Sequence, residues 1–175
     1  CANKFWFIQH EYALDPEVLP KTGVLSVFSK PGDRESASII ELFESIREAL
    51  EISNEELREK NICIDCTGFI RPNLMFLMLY LYRVVRVKDF TVIYSEPTVY
   101  KKAEETLFSI GAALETRAVD GFSAGVSGNL ASDLMIAGVG FETNLLTELI
   151  SFKSHAKKML LVGFPSLQPD MYQQA

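Results

Sequence analysis

The chain has 175 residues, 48% hydrophobic and 23% charged, a balance that supports a packed core and excludes disorder. Its 17 Lys and Arg stand against 23 Asp and Glu, for a net charge of −6. A dedicated nucleic-acid binder is therefore not expected, because such proteins draw most of their affinity from neutralised phosphates.

The length fits a single domain spanning residues 1–175. The longest apolar run, Leu74–Val85, interrupted by Arg83, is shorter than the ~20 residues of a membrane-spanning helix. No stretch has the charged, apolar, small-residue order of a signal peptide. Three cysteines, an odd number, do not make a disulfide-stapled secreted domain. A cytoplasmic setting without membrane attachment is the expectation. The opening at Cys1 and the polar tail Gln168–Ala175 read as the cut ends of a longer protein.

In chain order, Lys4–Gln9 is dense in aromatic and β-favouring residues and reads as a strand. Asp15–Thr22, with two prolines, is a connection. Val24–Phe28 is a second strand, closed by the turn Lys30–Asp33. Apolar residues at helical spacing predict an amphipathic helix over Arg34–Leu50. Ser53 with Glu56 has the form of a capping box, opening a short helix to Lys60. Ile62–Cys66 is compact and apolar, as expected of a central strand buried on both faces. Arg71-Pro72-Asn73 opens a helix to about Arg86, with proline tolerated in the first turn, and its strip Met75, Phe76, Leu79 and Tyr82 reads as core. Phe90–Tyr94 is the next strand and Thr98–Ile110 a helix. Leu114–Val119 is a weaker strand and Gly121–Ala131 a Gly- and Ser-rich loop. A strand at Asp133–Ala137, a helix over Glu142–His155 and a strand at Met159–Val162 complete the chain. Such alternation predicts βαβ units and the α/β class, a Rossmann-like three-layer α/β/α arrangement with a mainly parallel sheet.

In that architecture ligands bind beyond the carboxyl ends of the strands. The residues so placed are Asp65, Thr67 and Gly68, then Ser95 and Glu96, then Gly138 and Gly140, and Ser166 near the end, with Asp33, Arg34, Glu142 and Gly163 beside them. Asp65 ends a strand expected to be buried, so its carboxylate must be solvated, paired or hydrogen-bonded; backbone amides, or a nearby cation such as Arg71, are the structural partners for it. The glycine lets a ligand approach the backbone, and the following helix points free N–H groups at an anion. Proline after Glu96 pushes that residue out of helical geometry, so its carboxylate projects over the rim. Asp65 and Glu96 are thus the candidate catalytic pair, able to activate water or hold a sugar hydroxyl.

Other motifs read as structural. Gly138-Val139-Gly140 lies between a strand and a helix, but Thr143 stands where a dinucleotide-binding turn has its third glycine, so NAD is not expected. Cys63 and Cys66 lie three apart on a strand and point to opposite faces. They read as buried structural cysteines, with no metal site, since zinc needs a second ligand pair. No cofactor is implied, and no nucleophile elbow or phosphate-binding loop is present.

Asp65, Thr67 and Gly68, with the strand before and the helix after them, resemble the turn of the ligand-sensing Rossmann-like domains of the CARF type. Those domains carry a Thr-Gly turn beside their pocket for cyclic oligonucleotides. The resemblance covers only this strand, turn and helix, and implies that Thr67 and Gly68 face a ligand. Three readings follow. The first is a sensor-type module for a nucleotide-like or other phosphorylated small molecule, free or as a homodimer. The second is a hydrolase or transferase acting on a nucleoside or sugar phosphate through Asp65 and Glu96. The third is an interaction scaffold without a small ligand.

Overall fold

The aromatic opening folds as β1 (Phe5–Ile8) and runs parallel to β2 (Leu25–Phe28), with Phe5 opposite Leu25 and Ile8 opposite Phe28. The structure, a computed structural model, describes residues 3–19, 24–95, 117–122, 133–139, 143–152 and 154–162. Two short 3-10 turns, His10–Tyr12 and Pro16–Val18, lie between these strands. Next comes α1 (Glu35–Leu50), whose helical spacing buries Ile39, Leu42 and Phe43 on one face. Its last turn closes through Glu51 at φ 53°, with the Ile52 N–H reaching back to the Arg47 carbonyl.

The capping box is present. The Ser53 hydroxyl accepts from the Glu56 amide at 3.2 Å, and the Glu56 carboxylate accepts from the Ser53 amide at 2.8 Å. It opens α2 (Asn54–Arg58), which buries Leu57. Strand β3 (Cys63–Asp65) then leads into α3 (Arg71–Tyr80), with Pro72 in its first turn. A π-helical turn, Leu81–Val85, extends this helix and ends at Arg86 with φ 62°. The Arg58 side chain donates to the Val85 carbonyl at 3.1 Å, satisfying one acceptor of that end. Strand β4 (Thr91–Ile93) pairs in parallel with β3, so β3, α3 and β4 form a βαβ unit. A second such unit is β5 (Leu134–Val139), α4 (Thr143–Phe152) and β6 (Lys157–Val162), again with parallel strands.

The chain is therefore a mixed α/β protein in which each described strand pair is parallel. The strands are joined as three separate pairs, β1–β2, β3–β4 and β5–β6, rather than as one continuous sheet. The chain forms two compact units: Cys1–Thr98 with Ala118–Ser123, and Val99–Arg117 with Ala124–Ala175. In the first, α1, α3 and the π turn pack around Val27, Ile39, Leu42, Ile64, Leu77 and Leu81. Arg47 ties three helices together, donating to Asn54 of α2 and to the Tyr80 hydroxyl of α3 at 3.0 and 3.3 Å. In the second, Ala137 and Ala156 are buried. No helix among the described residues is long and apolar enough to cross a membrane.

Several expectations need correction. Strand β3 is buried on one face only: Ile64 enters the core while Cys63 and Asp65 are exposed. Its partner β4 is exposed throughout. The cysteines are consequently not buried; both are free thiols, Cys63 exposed and Cys66 half-buried. The core stripe of α3 is Asn73, Leu77 and Tyr80, continued by Leu81 and Val85, whereas Tyr82 is 70% exposed and Met75 is also on the surface. The wider π turn shifts the residues after Tyr80 and so carries Tyr82 off the core face; Phe76 of the expected strip, partly buried, does pack against the core. Of the strand expected at Leu114–Val119, residues 117–119 belong to no strand and the rest lies outside the described residues, as does the helix expected at Thr98–Ile110.

Candidate functional site

Parallel strands end at the same edge, and in the first unit that edge is tied together by side chains. Gln9 follows β1 directly and is buried. Its amide nitrogen donates to the Gly68 carbonyl at 2.7 Å. Its amide oxygen accepts from the Ile70 N–H at 2.8 Å and from the Asn73 side chain at 2.9 Å. One buried glutamine thus fixes the turn after β3 and the first turn of α3 to the end of β1. Phe7 supports the same junction by stacking on Phe69, with ring centroids 5.7 Å apart.

The end of β2 joins through Ser29, whose amide donates to the Ile8 carbonyl at 2.9 Å. The Ser29 hydroxyl oxygen accepts from the His10 amide at 2.9 Å and lies 3.2 Å from His10 Nδ1. Glu11 pairs with the same imidazole nitrogen at 3.1 Å. At the end of β3, Asp65 Oδ1 accepts from both the Thr67 hydroxyl, at 2.6 Å, and the Thr67 amide, at 3.0 Å. The Thr67 oxygen in turn accepts from the Ser95 amide at 2.8 Å, linking the ends of β3 and β4. Ser95, Thr67, Gly68 and Asp65 are all exposed.

The electrostatics of Asp65 follow from this bonding. The Thr67 hydroxyl first, and the Thr67 amide after it, stabilise the charged carboxylate and hold its pKa below the usual value. Asp65 is therefore an exposed, ionised acceptor at neutral pH. Of the two partners expected for it, a backbone amide is present, that of Thr67, joined by the Thr67 hydroxyl, and Arg71 is not among the groups bound to it.

The turn leading into α3 spends some of its donors internally. The Thr67 amide is on Asp65, the Phe69 amide on the Cys66 carbonyl at 3.1 Å, and the Ile70 amide on Gln9; Pro72 has no N–H. Space over Gly68 is open, since a side chain added there would meet nothing within 4 Å.

Of the residues singled out in the sequence, Asp65, Thr67, Gly68 and Ser95 come together on this rim. Gly138 belongs to the second unit, inside β5 and opposite Leu161. Glu96, Gly140 and Ser166 lie outside the described residues. Gln9, Asn73 and Ser29 were not singled out. The signal for Gln9 was a polar residue directly after an apolar strand, and for Asn73 a polar residue on the buried stripe of a helix. Among the described residues no buried side-chain nitrogen or oxygen lacks a hydrogen-bond partner, and no three His, Cys, Asp or Glu side chains gather as a metal site.

Comparison with protein-family models, with curated proteins and with solved structures returns no match.

Proposed function

We propose that the first unit is a sensor-type module that binds a nucleotide-like or other phosphorylated small molecule at the carboxyl edge of its strands, within a Rossmann-like three-layer arrangement. The supporting observation is the set of hydrogen bonds that ties the ends of β1, β2, β3 and β4 to one rim and leaves Asp65, Thr67, Gly68 and Ser95 at its surface. Both Thr67 bonds fall on Asp65 Oδ1, so Oδ2 of this exposed carboxylate is available to a ribose-type hydroxyl donor. A carboxylate repels phosphate, so the phosphate falls on the open side above Gly68, with exposed Arg71 two residues beyond the turn.

A thermal-shift screen with nucleotides and cyclic nucleotides tests this reading. A ligand present well above its Kd raises the melting temperature by mass action. At least one nucleotide is expected to stabilise the intact protein near ~1 mM; no shift with any anionic ligand at that concentration contradicts the proposal.

The scaffold reading has its own support. Leu134, Ile136, Met159 and Leu161 are each about half exposed and share one face of the β5–β6 pair, an apolar row of the kind that docks another protein.

A further inference from the structure

Residues 118–123 belong to the first unit, while the chain on either side of them belongs to the second. Charged and polar side chains hold the described part of this short return at the start of α1. Arg34, the residue before that helix, makes no side-chain cap for it. Asp120, 86 positions along the chain from Arg34, instead meets the side chains of this first turn. Its carboxylate accepts from the Ser36 hydroxyl at 2.5 Å and pairs with the Arg34 guanidinium. Its own amide donates to the buried Glu35 carboxylate at 2.7 Å. Arg34 also reaches the Ala118 carbonyl, at 3.4 Å. An acidic group at a helix start is favoured by the helix dipole, so the position suits Asp120.

The second hold is steric. Gly121 has φ +78°, a conformation side chains disfavour, and a Cβ added there would lie 2.3 Å from Leu79 Cδ2 of α3. The segment is therefore fitted to two helices. Its turn closes through the Phe122 amide on the Val119 carbonyl at 3.0 Å, yet Phe122 itself is 46% exposed.

We infer that residues 118–122 form a detachable clasp, held on α1 by the Asp120 charge network and on α3 by the Gly121 fit, that opens as a unit while the body of the first unit stays folded. The reason is the kind of contact involved. The clasp buries little apolar surface of its own and is held mainly by charge-assisted hydrogen bonds near the surface, the features of segments with low local opening free energy. Opening breaks the contacts to Ser36 and Arg34 and uncovers the Glu35 carboxylate. The clasp is a conformational device set at the helix that follows β2, and it stands independently of any ligand at the rim.

Native-state amide exchange by NMR, in the intact chain, tests this. The Asp120 and Phe122 amides are expected to exchange through an opening that leaves amides of α1 and α3 protected. Asp120→Asn, which removes the ion pair to Arg34, and Gly121→Ala, which strains a side chain at φ +78° and pushes Leu79 Cδ2 aside, should each speed exchange at Phe122 by about tenfold or more, with the interior of α3 unchanged. Raised salt should act in the same direction as Asp120→Asn by screening the Arg34 pair. The inference is overturned if Asp120 and Phe122 exchange only with global unfolding. It is equally overturned if both variants accelerate the segment and the helix interiors by the same factor.

Discussion

Thr67 does two things with one hydroxyl: it donates to Asp65 and accepts from the Ser95 amide. A hydroxyl is the smallest side-chain group with both capacities, and valine, of nearly the same shape, has neither. Thr67→Val should therefore raise the Asp65 pKa toward its ordinary value, the remaining depression coming from the Thr67 amide. Carboxyl-carbon NMR titration of the wild type and the variant reads this directly. The sign for stability follows from linkage. A carboxyl whose folded pKa is lowered contributes stability above its unfolded pKa, and that contribution is lost as pH falls through the folded value. The wild type should thus lose this contribution on acidification below the usual carboxylate range, and Thr67→Val should show a smaller loss over the same window. An unchanged Asp65 titration in the variant would show that the hydroxyl does not govern the carboxylate.

Between elements, the decisive group is Gln9. It sits 59 to 64 positions from its partners and joins the end of β1 to the turn after β3 and to α3. Replacing it with leucine removes one donor and one shared acceptor, leaving the Gly68 carbonyl, the Ile70 amide and the Asn73 side chain to find other partners. Buried groups left unpaired cost about 1–3 kcal/mol each, so Gln9→Leu should destabilise the first unit by about 3 kcal/mol in urea unfolding. A loss within ~0.5 kcal/mol, the range of an ordinary surface change, would contradict the role given to it. This linkage was not legible in the sequence, because nothing local relates Gln9 to Asn73. What was legible depended on local period and chemistry. The spacing of Ile39, Leu42 and Phe43 marks α1, and Ser53 with Glu56 marks the start of α2. Cys63-Ile64-Asp65 is too short and too uniformly apolar before Asp65 for its one-sided burial to show as an alternation. The π turn after Tyr80 leaves no period of its own, so the surface position of Tyr82 was hidden as well.

At the scale of the molecule, a parallel arrangement of strands matters because it sends their trailing ends to one edge. That arrangement was readable from the alternation of strand and helix; the division into three pairs and two compact units was not. Pairing of strands is a non-local property, set by which edges meet, and the hydrophobic pattern of short strands such as β3 and β4 does not encode it. Asp65, Thr67, Gly68 and Ser95 come together because each ends or follows a strand of the same βαβ unit, a relation visible in one dimension. The most direct test is a titration of the isotope-labelled protein with the nucleotide that stabilises it best, followed through the backbone amides and the Gln9 side-chain amide. The account predicts progressive, saturable shifts centred on Thr67, Gly68 and Ser95 and extending to Gln9 Nε2. Saturable shifts confined to residues away from the ends of β1, β3 and β4 would contradict it.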